Sequence, residues 1–324
     1  MDSNYCEIIA KKILLEPLRG TYNRLCILVN TATPSMISWV LSLYKKRKMK
    51  CISIELIIAS ISEHGIDSIS HNGFKTLHTQ NNFCEGINIS CSYLCDRYYN
   101  GKNLYIWMND NDPIKAFETI YDFSQISMLR KHETYISECD PEKAYSTYEE
   151  MEKNSIFCNH NEIEEYICIY LPNCIIDNAV YDLSSENVRL SLLSRNGEIG
   201  KRSGLNWGQR KGRNKNEAYI HLPKKVAESG FFPLNKQHFL VLTDDRHLLQ
   251  LRVAQENDKA ITTPASNAQL GEYFRNRLNL ANGAYVHKND LLSYGRTDVT
   301  FYKIDEEQFF MDFSPESRGW LYGR

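Results

Sequence analysis

Along the first half of the chain, short apolar runs alternate with segments of helical spacing. Leu25–Asn30 (LCILVN) is apolar almost throughout, the pattern of a strand buried on both faces. Met36–Lys45 repeats its apolar residues at helical intervals, and Cys51–Ser60 (CISIELIIAS) predicts a second buried strand. Asn103–Met108 predicts a third and Ala116–Tyr121 a fourth. Pro141–Lys153 predicts a helix with Asp140 as its N-cap and Pro141 in the first turn, where a missing N–H costs nothing. Asn159–Tyr166 is acidic and polar, and Leu171–Asp182 reads as a linker. This alternation predicts an α/β domain on a mixed sheet.

The second half has a different rhythm. Val188–Leu193, Ala218–Leu222, Phe239–Thr243, His247–Ala254, Tyr285–Val286, Val299–Ile304 and Gln308–Phe313 read as short strands. Asp244-Asp245-Arg246 joins two of them in a hairpin. Pro223–Ser229 predicts a short helix stopped by Gly230, and Asn267–Leu280 an amphipathic one. Many short strands with few helices predict a mainly-β barrel. The expected domains are therefore 1–178 and 182–324, each large enough for its own core.

Composition narrows the function. No stretch approaches the roughly 18 apolar residues of a membrane span, and the first residues have neither the basic nor the apolar part of a signal peptide. A cytoplasmic protein with no membrane partner is expected. The ten cysteines are then expected as reduced thiols. Cys91-x3-Cys95 and Cys158-Asn-His160 lack the paired spacing of a zinc site, so no metal or cofactor is expected. Net charge is −2 but unevenly spread. Residues 1–180 carry 17 Lys and Arg against 23 Asp and Glu, while the remainder carries 21 against 17. The excess of positive charge in the second half points there for a polyanion surface.

Residues 201–216 (KRSGLNWGQRKGRNKN) concentrate that charge. Lys201, Arg202, Arg210, Lys211, Arg213 and Lys215 are accompanied by no acid. Arg, Asn and Gln can pair with purine edges in the major groove, whereas Lys meets phosphates. A solvated charged loop is the alternative reading.

The surrounding segments decide between these readings. SGLNWGQR (203–210), EAYIHLPKKVAESGFFP (217–233), FLVLTDD (239–245), AQENDKAITTPASNAQLGEYFRNRL (254–278) and LLSYGRTDVTFYKID (291–305) run in order through the second half. They resemble the plant B-type pseudobarrel DNA-binding domains, and more closely the C-terminal domain of NgoFVII-type restriction endonucleases. The resemblance implies two arms that enter the DNA major groove. Arg202, Ser203, Asn206, Trp207, Gln209, Arg210, Lys211 and Arg213 are the candidates of the first arm. Gln255, Asn257, Lys259, Ser266 and Asn267 are those of the second. Trp207 reads either as packing the base of the arm or as stacking on a base. Arg275, Arg277 and Arg296 read either as phosphate contacts or as structural ion pairs, while Tyr273, Phe274, Phe231 and Phe232 read as core.

The first half resembles the phospholipase D-like nuclease domain of the same family through residues 56–77, 103–125 and 138–165. That family's signature is His-x-Lys on one strand, followed by a Gly-Ser-Ala-Asn-like segment. Histidine attacks phosphorus, while the lysine and the amide or hydroxyl hold the non-bridging oxygens. Here Gly101 and Asn103 stand at the His and Lys positions, or Asn100 and Lys102 in a register shifted by one. Thr119 to Asp122 fill the second segment, and Glu133 matches an acidic position of the family. None of the nine histidines is followed two places on by lysine. No catalytic residue is therefore assigned. Lys45–Lys50 form another basic cluster, read as a solvated turn or a contact to flanking DNA.

The chain is thus expected to recognise a short double-stranded DNA site within a restriction–modification system. Its degenerate nuclease domain would serve a homodimer, or a heterodimer with a nuclease subunit. An active endonuclease with unrecognised catalytic residues, and a stand-alone DNA-binding regulator, are the alternatives.

Overall fold

The computed structural model describes residues 8–49, 51–79, 86–95, 98–129, 136–172, 175–176, 179–180 and 186–315. The chain divides into two compact units, Met1–Pro172 and Asn173–Arg324.

The first unit is built on a seven-stranded mixed sheet. Its strands are β1 (Arg24–Val29), β2 (Ile52–Ile58), β3 (Ile87–Leu94), β4 (Asn103–Asn109), β5 (Asp112–Thr119), β6 (Ile136–Cys139) and β7 (Ser155–Phe157). Their order is β6-β5-β4-β1-β2-β3-β7. The β1–β2 and β2–β3 pairs are parallel and the others antiparallel. The unbroken apolar run of β1 follows from its central place. Leu25, Ile27 and Val29 enter one core, Cys26 and Leu28 the core on the opposite face, as the two-residue period of a strand requires. Helices α1 (Pro34–Lys46) and α2 (Ser68–Thr79) cover the first face, and α3 (Pro141–Glu152) covers the second through Ala144, Tyr148 and Met151. Thr33 caps α1 by accepting from the Met36 N–H (3.3 Å). Asp140 caps α3, accepting from Glu142 and Lys143 (3.1 and 3.4 Å), which agrees with its sequence position. Strand β3 and helix α2 were not among the expected elements, although Ile87, Ile89, Cys91 and Tyr93 alternate with Asn88, Ser90 and Ser92 as a strand with one face in the core requires.

The second unit is a seven-stranded sheet of β8 (Asn187–Ser191), β9 (Ile220–His221), β10 (His238–Thr243), β11 (Leu248–Ala254), β12 (Ala260–Thr262), β13 (Asp298–Lys303) and β14 (Gln308–Asp312). The order β8-β13-β14-β10-β11-β12-β9 brings the outer strands β8 and β9 near each other, so the sheet nearly closes into a barrel. Helices α4 (Lys224–Glu228), α5 (Ala268–Arg277) and α6 (Lys288–Tyr294) complete it. Phe231, Phe232, Phe239, Phe301 and Phe309 fill the interior, with ring centroids 4.7–5.4 Å apart in the closest pairs. These mutually edge-on and tilted rings favour a single packing. The architecture matches the expected mainly-β pseudobarrel. Three short elements differ: α6 (Lys288–Tyr294) was not expected as a helix. Ala260–Thr262 is a strand that the sequence did not announce, and Tyr285–Val286 is not a strand.

Arginine side chains brace this unit internally. Arg277 makes a bidentate pair with Asp244 (2.7 and 2.8 Å) beneath the rings of Tyr273, Tyr294 and Phe313. Arg296 is buried between Asp298 (3.2 Å) and Asp312 (2.6 Å). Both are therefore structural, and Tyr273, Phe274, Phe231 and Phe232 are core.

Candidate nucleic-acid interface

The basic run lies in the connection between β8 and β9, which leaves the barrel, turns through a 3-10 segment at Gly204–Gln209 and returns. Its shape is set by buried polar groups. Asn206 is fully buried; its Nδ2 donates to the Val286 carbonyl (2.8 Å) and its Oδ1 accepts from the Val286 N–H (2.9 Å). One amide side chain thus supplies the two bonds that a neighbouring strand would give Val286, which explains why Tyr285–Val286 needs no sheet partner. Arg275 is also fully buried and donates to the carbonyls of Ala284 (2.8 Å), Gly271 (3.1 Å) and Leu205 (3.2 Å). Gly271 permits the close approach of this loop to α5, since a Cβ there would overlap the Asn216 carbonyl oxygen.

These contacts correct the expected interface. Asn206 and Arg275 face the interior, and their full burial puts them out of reach of a base or a phosphate. Trp207 packs edge-on to Tyr219 (5.5 Å), and Arg213 lies over its ring at 4.0 Å while pairing with Glu217. Gln209 donates to the Gly283 carbonyl (3.1 Å). Trp207, Gln209 and Arg213 therefore form the half-buried base of the loop. Arg202, Arg210 and Lys211 are exposed, as are Lys201 and Lys215; Arg210 is oriented by its bond to the Arg202 carbonyl (2.9 Å).

The second predicted arm follows β11. Gln255, Asn257, Lys259 and Ser266 are exposed, and Asn267 is half-buried. Gln255, Asn257 and Asp258 have positive φ (71°, 59° and 52°). Three such residues in four positions fix a sharply turned loop, because non-glycine residues enter this region at a conformational cost.

A groove of about 880 Å³ connects the two segments. Ser203 of the first and Lys259 of the second both line it, with Arg195, His221, Lys224 and Lys225 supplying further basic groups and Tyr219 an aromatic wall. Among the described residues that line it there is no Asp or Glu. Low-dielectric walls of one charge sign focus the field and attract a polyanion. Arg195, Tyr219, His221, Lys224 and Lys225 were missed in the sequence. Lys224-Lys225 directly after Pro223 was visible as charge, but only the fold turns it toward the same groove as Lys259.

The signature positions of the first unit also converge. Asn103 opens β4 and pairs directly with Thr119 at the end of β5. Both are buried. Asn103 accepts from the Asn30 N–H (2.8 Å) and donates to the Tyr121 carbonyl (2.7 Å). The Asn30 side chain reaches the Gly101 carbonyl (3.1 Å), and the Thr119 hydroxyl accepts from the Tyr121 N–H (3.3 Å). The Asp122 carbonyl accepts from Ser124 N–H (2.9 Å). Lys102 pairs with Glu118. Glu133 lies outside the described residues. Among the described residues, no group of three His, Cys, Asp or Glu side chains could hold a metal ion, and no helix is long and apolar enough to cross a membrane.

Comparison with known proteins agrees with both halves. Residues 7–165 match the model of the NgoFVII restriction endonuclease N-terminal PLD domain. Residues 180–305 match that of the NgoFVII C-terminal B3-like DNA-binding domain. No curated protein gives a match.

Proposed function

The chain belongs to the NgoFVII restriction endonuclease family, and from this premise we propose that it is a DNA-reading member that does not itself cut. The second unit binds a short double-stranded site in the groove between residues 191–225 and the Gln255–Asn267 segment. Arg202, Arg210, Lys211, Lys224, Lys225 and Lys259 meet phosphates or guanine edges, and Gln255 and Asn257 read bases. The first unit keeps the nuclease fold for pairing, with a second copy or with an active nuclease subunit. The observation that carries the reading is an acid-free basic groove in the second unit, in a chain whose first unit holds no nucleophile at the signature positions. A phospholipase D-type reaction needs a histidine to form the phospho-enzyme bond. Here Asn103 and Thr119 spend their polar groups on the backbone.

Selection of bound duplexes from a random pool by the purified full chain, followed by incubation with and without Mg²⁺, tests both parts. The expected outcome is enrichment of one short motif, steep salt dependence and intact DNA. Sequence-indifferent binding at physiological salt would reject the reading assignment. Specific cleavage by the chain alone would reject the loss of catalysis.

A further inference from the structure

The first unit holds a cluster that DNA recognition leaves unused. Cys91 lies on β3, and Cys158 follows β7 directly. The antiparallel register sets Ser92 opposite Phe157, and one step further Cys158 donates its N–H to the Cys91 carbonyl (3.0 Å). The two cysteines are therefore cross-strand partners. Directly opposed residues of a hydrogen-bonded pair have Cα atoms about 5.5 Å apart and side chains on one face, within the span that a disulfide bridges. The Cys91 N–H goes not to Cys158 but to His78 Nδ1 (3.0 Å), which seats an imidazole of α2 beside the pair. Phe157 covers that ring edge-on at 5.3 Å and is itself exposed.

We propose that Cys91 and Cys158 form an oxidant-reactive thiol pair, converted by small peroxides into a cross-strand disulfide. Cys158 is the nucleophile and Cys91 the resolving thiol. Hydrogen bonds from the Cys91 thiol and the His78 imidazole hold the Cys158 thiol below its usual range, against the opposing effect of burial. Burial, with its bond to Cys158, pushes the Cys91 thiol well up, so it keeps its proton. Low-pKa thiolates next to a second thiol are the ones that oxidise selectively. Both cysteines are buried, yet β7 has three residues and, among the described residues, ends the sheet and pairs with β3 alone. Its opening breaks few bonds and admits a small oxidant.

The chemistry balances with hydrogen peroxide as the oxidant. The Cys158 thiolate attacks one peroxide oxygen; an S–O bond forms, the O–O bond breaks, and the departing hydroxide leaves as water with the Cys91 proton. The Cys91 thiolate then attacks the Cys158 sulfur; the S–S bond forms, the S–O bond breaks, and hydroxide leaves to take a proton from solvent. The two sulfurs lose two electrons and the peroxide gains them.

The full chain is treated with hydrogen peroxide, alkylated under denaturing conditions and mapped by mass spectrometry. A Cys91–Cys158 cross-linked peptide that dithiothreitol dissolves is expected, at doses that leave the exposed Cys51 and Cys168 alkylated. Recovery of Cys91 and Cys158 both alkylated while Cys51 or Cys168 carries oxygen overturns the proposal, as does a bridge from Cys158 to another cysteine. Of the variants that melt like the parent, Cys158→Ser should leave Cys91 unmodified. His78→Gln should slow the bridge about tenfold; an unchanged rate removes His78 from the mechanism. The wild-type map decides the main point whether or not the variants fold.

Discussion

Asn103 in the first unit and Asn206 in the second use the same chemistry, yet their surroundings lead to opposite outcomes. Each is buried and spends both ends of its amide on backbone groups distant in sequence. Around Asn103 the neighbouring polar groups also turn inward, to Tyr121, Gly101 and Asn30. Around Asn206 the neighbouring cations Arg202, Arg210 and Lys211 turn outward, and Arg195, Lys224, Lys225 and Lys259 line a shared groove. The comparison teaches that an amide within a signature or a basic run is not thereby a ligand. What separates a closed site from an open one is whether the side chains beside the amide still have unused donors facing solvent.

The strongest way to break the comparison is to remove both amides. Asn103→Leu and Asn206→Leu each leave a buried N–H and a buried carbonyl unpaired, at about 1–3 kcal/mol per group. Each should lower stability by about 2–6 kcal/mol, measured by urea unfolding. If Asn206→Leu leaves stability unchanged and weakens DNA binding instead, Asn206 is a reader and the structural assignment fails.

A second measurement sharpens the groove side. Gln255→Ala should cost about 1–3 kcal/mol of discrimination between the selected motif and a single-base variant, with little change on random DNA. Equal weakening on both would make Gln255 a phosphate contact.

Acid titration probes the second unit through His238, which burial and the nearby Arg252 hold down to about 3. In the unfolded chain it takes up a proton near pH 6.5. The unfolded state therefore binds more protons below that pH. The His238 contribution to stability is complete above about pH 6.5 and falls by up to about 1.4 kcal/mol per unit as pH drops toward 3. His238→Phe should flatten this part of the stability–pH curve; an unchanged slope would place its origin elsewhere.

The smallest effect is expected from Lys225→Ala. It should weaken specific and random DNA alike and reduce the slope of log affinity against log salt by about one. A loss confined to the selected motif would give this lysine a base contact.

The elements of the first unit were legible where a strand is central. Leu25–Asn30 is apolar because its alternate residues serve two cores. The Ile87–Leu94 strand was missed although Asn88, Ser90 and Ser92 alternate with Ile87, Ile89, Cys91 and Tyr93, which is a strand signal. The Ser68–Thr79 helix, by contrast, buries only Ile69, Phe74 and Leu77 as large apolar residues, beside His71, and so gives a weak helical pattern. In the second unit the Asp244–Arg246 turn and the Phe231–Phe232 core were legible from residue type. Tyr285–Val286 was misread as a strand, because its β-forming residues are satisfied by one side chain rather than by a neighbouring strand.

By itself the sequence determined the two-part organisation, the α/β and pseudobarrel classes, the family, the location of the positive charge and the absence of His-x-Lys. These depend on order, period and residue type, which are local properties. Tertiary structure alone decided which polar residues are available. Asn206 and Asn257, or Arg275 and Arg210, are the same residue types, yet the first of each pair is buried and the second exposed. A donor satisfied by a carbonyl some 80 positions away, as Asn206 is by Val286, is lost to a ligand, and the sequence records no trace of that pairing.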